Sequence, residues 1–240
     1  MKRLKIILNK CIYLLLIDTF IIAGILLFLC LMEEYEVQQM DQHLHEEKEE
    51  LEKTDFDFSP LMKQNPDMAG WLEIEGTNID YPIVQGNDNE YYLTHDFYRE
   101  DSKAGAIFMD YRNSKDLSDP NTILYGHNMK DGTMFQNLNK YNNLDFIKEH
   151  RYINLYSGTT KYIWEIFCTY SVNTDFNYLI TEFSSMAEYQ AYLKSVLDKS
   201  QYHEIENSVQ GGRILTLSTC SSCDHRRVVH ARLVGEEKQR

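Results

Sequence analysis

The sequence predicts a mainly β fold: a closed barrel of about eight strands with N-terminal helices and one late helix, preceded by a transmembrane helix. Three observations lead there. Residues 11–32, "CIYLLLIDTFIIAGILLFLCLM", form an apolar run of 22 residues. From residue 70 onward, short β-branched and aromatic runs recur, divided by Gly, Asn, Asp and Ser. A single stretch, 184–200, departs from that rhythm and carries helical spacing.

The apolar run is long enough to cross a bilayer as a helix. Asp18 is its one charge, a cost of roughly 2.5–3.5 kcal/mol at mid-membrane. Fourteen Leu, Ile and Phe residues return roughly −6 kcal/mol, so insertion wins. Lys2, Arg3, Lys5 and Lys10 precede the run, and Glu33, Glu34 and Glu36 follow it. The positive-inside rule then predicts a single-pass protein with residues 1–10 as a cytoplasmic tail and everything after residue 32 outside. A cleaved signal peptide is the rival, but the run exceeds a usual h-region and no A-x-A site follows.

Residues 33–66 are expected to form a helical extension. Val37, Met40, Leu44 and Leu51 fall on one face of a Glu-rich helix. Ser59 followed by Pro60 reads as the N-cap and first residue of a short helix over 60–65. Residues 67–240 are assigned to the barrel. Its strands are "GWLEIEG", "NIDYPIVQG", "GAIFMD", "NTILYGH", "RYINLYS", "TKYIWEIFCTYSV", "GRILTLSTC" and "RRVVHARLVG". In 184–200, Met186, Tyr189, Tyr192 and Val196 mark the inward face of the late helix.

Net charge is −13, from 24 Lys and Arg against 37 Asp and Glu. Nucleic acid is thereby disfavoured, because phosphates need a basic surface. Cys11 and Cys30 lie in the anchor, leaving Cys168, Cys220 and Cys223 outside it. Three cysteines make no disulfide framework and leave a thiol to explain.

The segment "LSTCSSCDHRRVVH", 217–230, raises three possibilities. Cys220, Cys223 and His225 could ligate zinc, with His127 or His230 as a fourth ligand, but no second C-x-x-C exists. A redox pair would need a helix after Cys220 to lower the thiol pKa, and a strand follows instead. A nucleophile needs a proton-transfer partner and an oxyanion holder. His127 ends one strand, Cys220 ends another, and Arg226 or Arg227 opens the next.

These motifs resemble a known family. "TLSTC" at 216–220, R-x-V-V-x-A at 226–231 and "YGHNM" at 125–129 are similar to those of sortases. "NPDMAGWLEIEGTNIDYPIVQGNDNEYYLTHDF" and "KAGAIFMDYRN" resemble class B in particular, and the likeness runs from about residue 60 to the end. The resemblance implies a cysteine transpeptidase of Gram-positive cell surfaces. Such an enzyme cleaves a C-terminal sorting signal, often a variant of N-P-x-T-x, after Thr through a thioester. It then joins the protein to a cell-wall or pilin amine.

By that resemblance Cys220 is the nucleophile, His127 the acid and base, and Arg226 the oxyanion or backbone holder. Counting back from Ala231 selects Arg226, and Arg227 is expected to be a solvated charge on the outer face. Asn89, Leu93, Thr174, Tyr178, Leu179 and Ser218 match the peptide groove. Tyr125 and Trp71 read as packing residues. Expected partners are sorting-signal-bearing surface proteins and a peptidoglycan-precursor or pilin amine. The chemistry requires no cofactor or metal. The segment between Cys220 and Arg226 is short for class B.

Overall fold

The computed structural model describes residues 2–54, 57–173, 175–200, 212–220 and 225–238. Two compact units divide at residues 43 and 44.

The first unit lies within one continuous helix, α1, Lys2–Lys53. Its apolar stretch is long and apolar enough to cross a membrane, and none of that stretch is buried within the protein. Phe20, for example, is 81% exposed.

The second unit is an eight-stranded closed barrel in the order β1-β2-β3-β4-β7-β8-β6-β5. Its strands are β1 Met68–Glu73, β2 Asp80–Val84, β3 Ile107–Met109, β4 Asn121–His127, β5 Tyr152–Ser157, β6 Thr160–Asn173, β7 Ile214–Cys220 and β8 His225–Lys238. Closure leaves no sheet edge to protect. Six pairings are antiparallel. β2 with β3 and β4 with β7 are parallel.

The late helix α4, Met186–Leu197, begins at Ser185, whose hydroxyl accepts from the Glu188 amide. Glu188 reaches back to the Ser184 amide at 2.7 Å, so the S-x-x-E spacing caps both donors. The inward face is Tyr189, Tyr192, Leu193 and Val196. Met186 was expected on that face and is instead 65% exposed; it is the first helical residue, directly after the Ser185 cap. The inward residues pack on Phe167, Tyr170, Ile214 and Val228 of β6, β7 and β8. Each such side chain contributes roughly 1.5–3 kcal/mol by burial.

Two other local expectations are corrected. Helix α2 spans Ser59–Gln64, so Ser59 is already helical and Phe58 is the N-cap, with no side-chain capping bond. The Asp57 carboxylate accepts from the Ser59 amide instead. An unexpected 3-10 segment, Phe135–Asn142, leads into a short helix α3, Leu144–Glu149, capped by the Asn143 side chain.

The 44–53 part of α1 rests on the barrel. Leu44 and Leu51 are buried as its heptad spacing predicts. Between them Lys48 bonds Asp80 at 2.8 Å and Glu73 at 3.0 Å. Burial opposes the ammonium charge, but these two carboxylates outweigh it and raise the Lys48 pKa.

Candidate active site

A parallel pair brings the C-terminal ends of two strands to one end of a barrel. β4 and β7 are such a pair, and their last register partners are His127 and Cys220. Antiparallel β8 then returns from that same end. Its register with β7 runs as far as Ser218 opposite Val228, and Arg226 lies two residues before Val228 on β8, paired with Val172 of β6. Chain order separates the three residues by almost a hundred positions, and strand pairing brings their backbones to adjacent places. The Cys220 side chain, Thr174 and Cys223 lie outside the described part of the structure.

His127 is half-buried and its Nε2 lies 2.7 Å from the Leu93 carbonyl oxygen. A carbonyl only accepts, so Nε2 carries the proton and Nδ1 is the nitrogen left for proton exchange. Two glycines make this arrangement possible. At Gly126 a Cβ would stand 2.5 Å from Ile107 Cδ1 and 2.8 Å from Phe135 Cγ. Phe135 of the 3-10 segment therefore packs directly on the backbone beside His127. Gly105, at φ +59°, has room for no Cβ either, since one would meet the Tyr92 carbonyl at 2.5 Å and the Leu93 carbonyl at 2.9 Å.

Arg226 is half-buried, and among the described residues its shielded Nε has no acceptor. Arg227 is not the solvated outer charge expected of it. It is 6% exposed and donates to Asn142 of the 3-10 segment. Adjacent strand residues point to opposite faces, and here the second face is covered by that segment. His225 is exposed.

Ser218 and Tyr178 share a hydrogen bond of 2.7 Å, and both are 1% exposed. Leu93 and Leu179 are half-buried rather than sealed in the core. Asn89 is engaged on both sides. Its Nδ2 donates to Asp110 Oδ2 at 3.0 Å, and its Oδ1 accepts from the Tyr111 amide at 3.0 Å. Tyr125, read as packing, also donates its hydroxyl to Asp110 at 2.8 Å. Trp71 is fully buried and donates to Asp80 at 2.7 Å.

His230 is fully buried. Thr216 gives its proton to Asn121 Oδ1 at 2.7 Å, so it accepts from His230 Nδ1 at 2.8 Å. His230 Nε2 then accepts from the Tyr170 hydroxyl at 2.7 Å. Burial lowers its pKa to about 3, so the ring is a neutral link in a polar chain.

The Sortase-domain family matches residues 72–234. The chain belongs to the sortase family. Its relatives place it in class B. A sortase B of Listeria monocytogenes is 48% identical over 162 residues, 68% of this chain and 66% of that protein. A sortase B of Staphylococcus aureus is 39% identical over 181 residues, 74% of each chain. Among solved structures, a Staphylococcus aureus sortase B–substrate complex matches with a TM-score of 0.77 at 35% identity, covering 85% of this chain and 98% of that one. A Listeria monocytogenes sortase B matches with a TM-score of 0.67 at 46% identity, covering 72% and 98%.

Sequence reasoning overlooked Asp110 and Arg112 of this sortase. Asp110 is fully buried, and Arg112 bonds it through Nε at 2.8 Å and Nη2 at 2.7 Å. Burial pushes the Asp110 carboxyl up, but the Arg112 fork and amide and the Tyr125 hydroxyl prevail and hold it low. The available signal was a charged D-x-R directly after an apolar strand, an arrangement that returns a guanidinium to its own loop.

Proposed function

We propose that this sortase is a cysteine transpeptidase that cuts a C-terminal sorting signal after Thr and transfers the protein to a cell-surface amine. The observation that carries the reading is the His127–Cys220 register across the parallel β4–β7 pair, with β8, the strand that carries Arg226, next along the barrel.

The Cys220 thiolate adds to the Thr carbonyl carbon, and negative charge moves to the carbonyl oxygen. Arg226 donates to that oxygen or to the signal's backbone. Its Nε, lacking an acceptor among the described residues, suits a ligand that supplies one. As the carbonyl reforms, the C–N bond breaks and His127 gives its Nδ1 proton to the leaving amine, leaving a thioester. The incoming amine adds to the thioester, loses a proton to His127, and expels the Cys220 thiolate. Leu93 holds the ring through Nε2 in both half-reactions. Leu93, Tyr178, Leu179, Ser218, Asn89 and Thr174 form the peptide groove, with Thr174 outside the described residues. Residues 11–32 anchor the enzyme, 33–66 join the anchor to the barrel of 67–240, and the barrel faces outward. The donors are sorting-signal-bearing surface proteins, and the acceptor is a peptidoglycan-precursor or pilin amine.

The test uses the full chain in detergent micelles and a quenched peptide carrying N-P-x-T. Cys220→Ala should abolish cleavage, and His127→Ala should lower it by about 10²–10⁴-fold. Arg226→Lys should cost about 10²-fold, whereas Cys223→Ala should leave cleavage intact. With an added glycine amine, mass spectrometry should find the ligated peptide. Cleavage that survives Cys220→Ala, or a product that is always the free acid, would overturn the assignment.

A further inference from the structure

The stretch from Tyr178 to Ile180 has no regular secondary structure, so no strand or helix ladder takes up its carbonyls. Three side chains from three separate elements do so instead. The Tyr178 carbonyl accepts from the Tyr192 hydroxyl of α4 at 2.9 Å. Leu179's accepts from Arg112 Nη2 at 3.2 Å. Ile180's accepts from Asn121 Nδ2 of β4 at 2.7 Å. Two of the three donors are buried in the core, and Asn121 belongs to the chain that runs through Thr216 and His230. Arg112 differs. Its side chain is 40% exposed, and it is anchored from the other side of the groove.

That anchor is Asp110. Its two oxygens accept five hydrogen bonds: from the Arg112 amide, Nε and Nη2, from Asn89 Nδ2 and from the Tyr125 hydroxyl. Asn89 opens the segment that ends at Leu93, whose carbonyl holds His127. One carboxylate and one guanidinium thus tie together the Asn89 loop, the β4 strand and the 178–180 wall. A bidentate fork fixes the direction of the guanidinium plane, a constraint that a lysine ammonium cannot reproduce.

We propose that Arg112, held by Asp110, is a positioning residue that sets the spacing between the two walls of the sorting-signal groove. It acts through Leu179 and Asn89 and does not take part in bond breaking. The proposal rests on the groove reading given above. A peptide binds between walls already in place, so the cost of ordering them is absent from association. Loosening one wall should weaken binding and leave the thioester chemistry alone.

The experiment measures KM and kcat for the same quenched N-P-x-T peptide with the full chain in micelles, active enzyme being counted by mass spectrometry of the Cys220 peptide labelled by iodoacetamide as activity is lost. Arg112→Gln should raise KM about tenfold with kcat per active thiol within about twofold. Arg112→Lys should fall near Gln rather than near wild type, since charge alone does not restore the fork. Leu179→Ala should raise KM as well, and the double variant should be no worse than the poorer single one, because Arg112 acts by placing the Leu179 side chain, which Leu179→Ala has already removed. A purely structural role would lower the melting temperature and the count of active thiols without moving KM, and that result overturns the proposal. So does an unchanged KM for Arg112→Gln beside a raised KM for Leu179→Ala. If Leu179→Ala leaves KM unchanged, the groove reading fails first. Additive effects would mean that Arg112 touches the peptide itself, which also overturns the positioning role.

Discussion

At the scale of single residues, chemistry here depends on where protons are fixed. His127 donates from Nε2 to Leu93, and that single bond leaves Nδ1 as the nitrogen for proton exchange. Neither residue type reveals this in sequence, since a carbonyl belongs to every residue. His230 shows the opposite fate for the same side chain. Its folded pKa is lowered to about 3 because burial penalises the imidazolium. The stability it supports is therefore intact above the unfolded value near 6.5 and is lost as pH falls from there towards 3, at about 1.4 kcal/mol per pH unit. Urea unfolding at pH 5 should give a stability about 2 kcal/mol below that at pH 7 from this group. In His230→Gln that part of the pH dependence should vanish, and equal slopes for the two proteins would refute it. Arg227 teaches a similar lesson. Alternation correctly sent it to the face opposite Arg226, but the 3-10 segment that buries it was not legible, having neither the length nor the period of a helix.

At the scale of elements, the strands were the most readable part. "NTILYGH" is β4 without adjustment, and each of the eight strands overlaps a run that β-branched and aromatic residues mark, with β1, β6 and β8 reaching beyond theirs. Boundaries shifted where a local bond decided them, as at Phe58 and Met186. The helix–barrel junction rests on a charge cluster that periodicity hid, since Lys48 sits between Leu44 and Leu51 on a face expected to be apolar. Lys48 is 10% exposed, and Asp80 and Glu73 are 20% and 30% exposed. Replacing it with Met leaves two carboxylates facing each other without their cation. The loss should be about 2 kcal/mol, below the range for fully buried pairs because water reaches both acids. For a unit of this size that is a fall of about 6 °C in melting temperature. New protease sensitivity in the 44–58 stretch should accompany it. An unchanged midpoint would show that Leu44 and Leu51 hold the helix unaided.

At the scale of the whole molecule, the sortase combines a membrane-length apolar helix with a barrel whose candidate site residues His127 and Cys220 end adjacent strands. Sortases act at the cell surface, and the charge asymmetry around residues 11–32 favours an outward barrel. Protease added to protoplasts should digest the barrel and spare a fragment containing residues 1–32. Protection of the barrel would reverse the proposed topology. The sequence by itself determined the membrane-length apolar helix, the strand runs and the family motifs, because hydrophobic length, period and residue order are local properties of the chain. Only the tertiary structure decided which strand lies beside which. The parallel crossover from β4 to β7 sets His127 beside Cys220, and the closed barrel brings Asp110, Arg112 and Leu179 onto one network. Hydrogen bonding between strands acts across space, and nothing in the order of residues along the chain fixes which distant partner each strand will take.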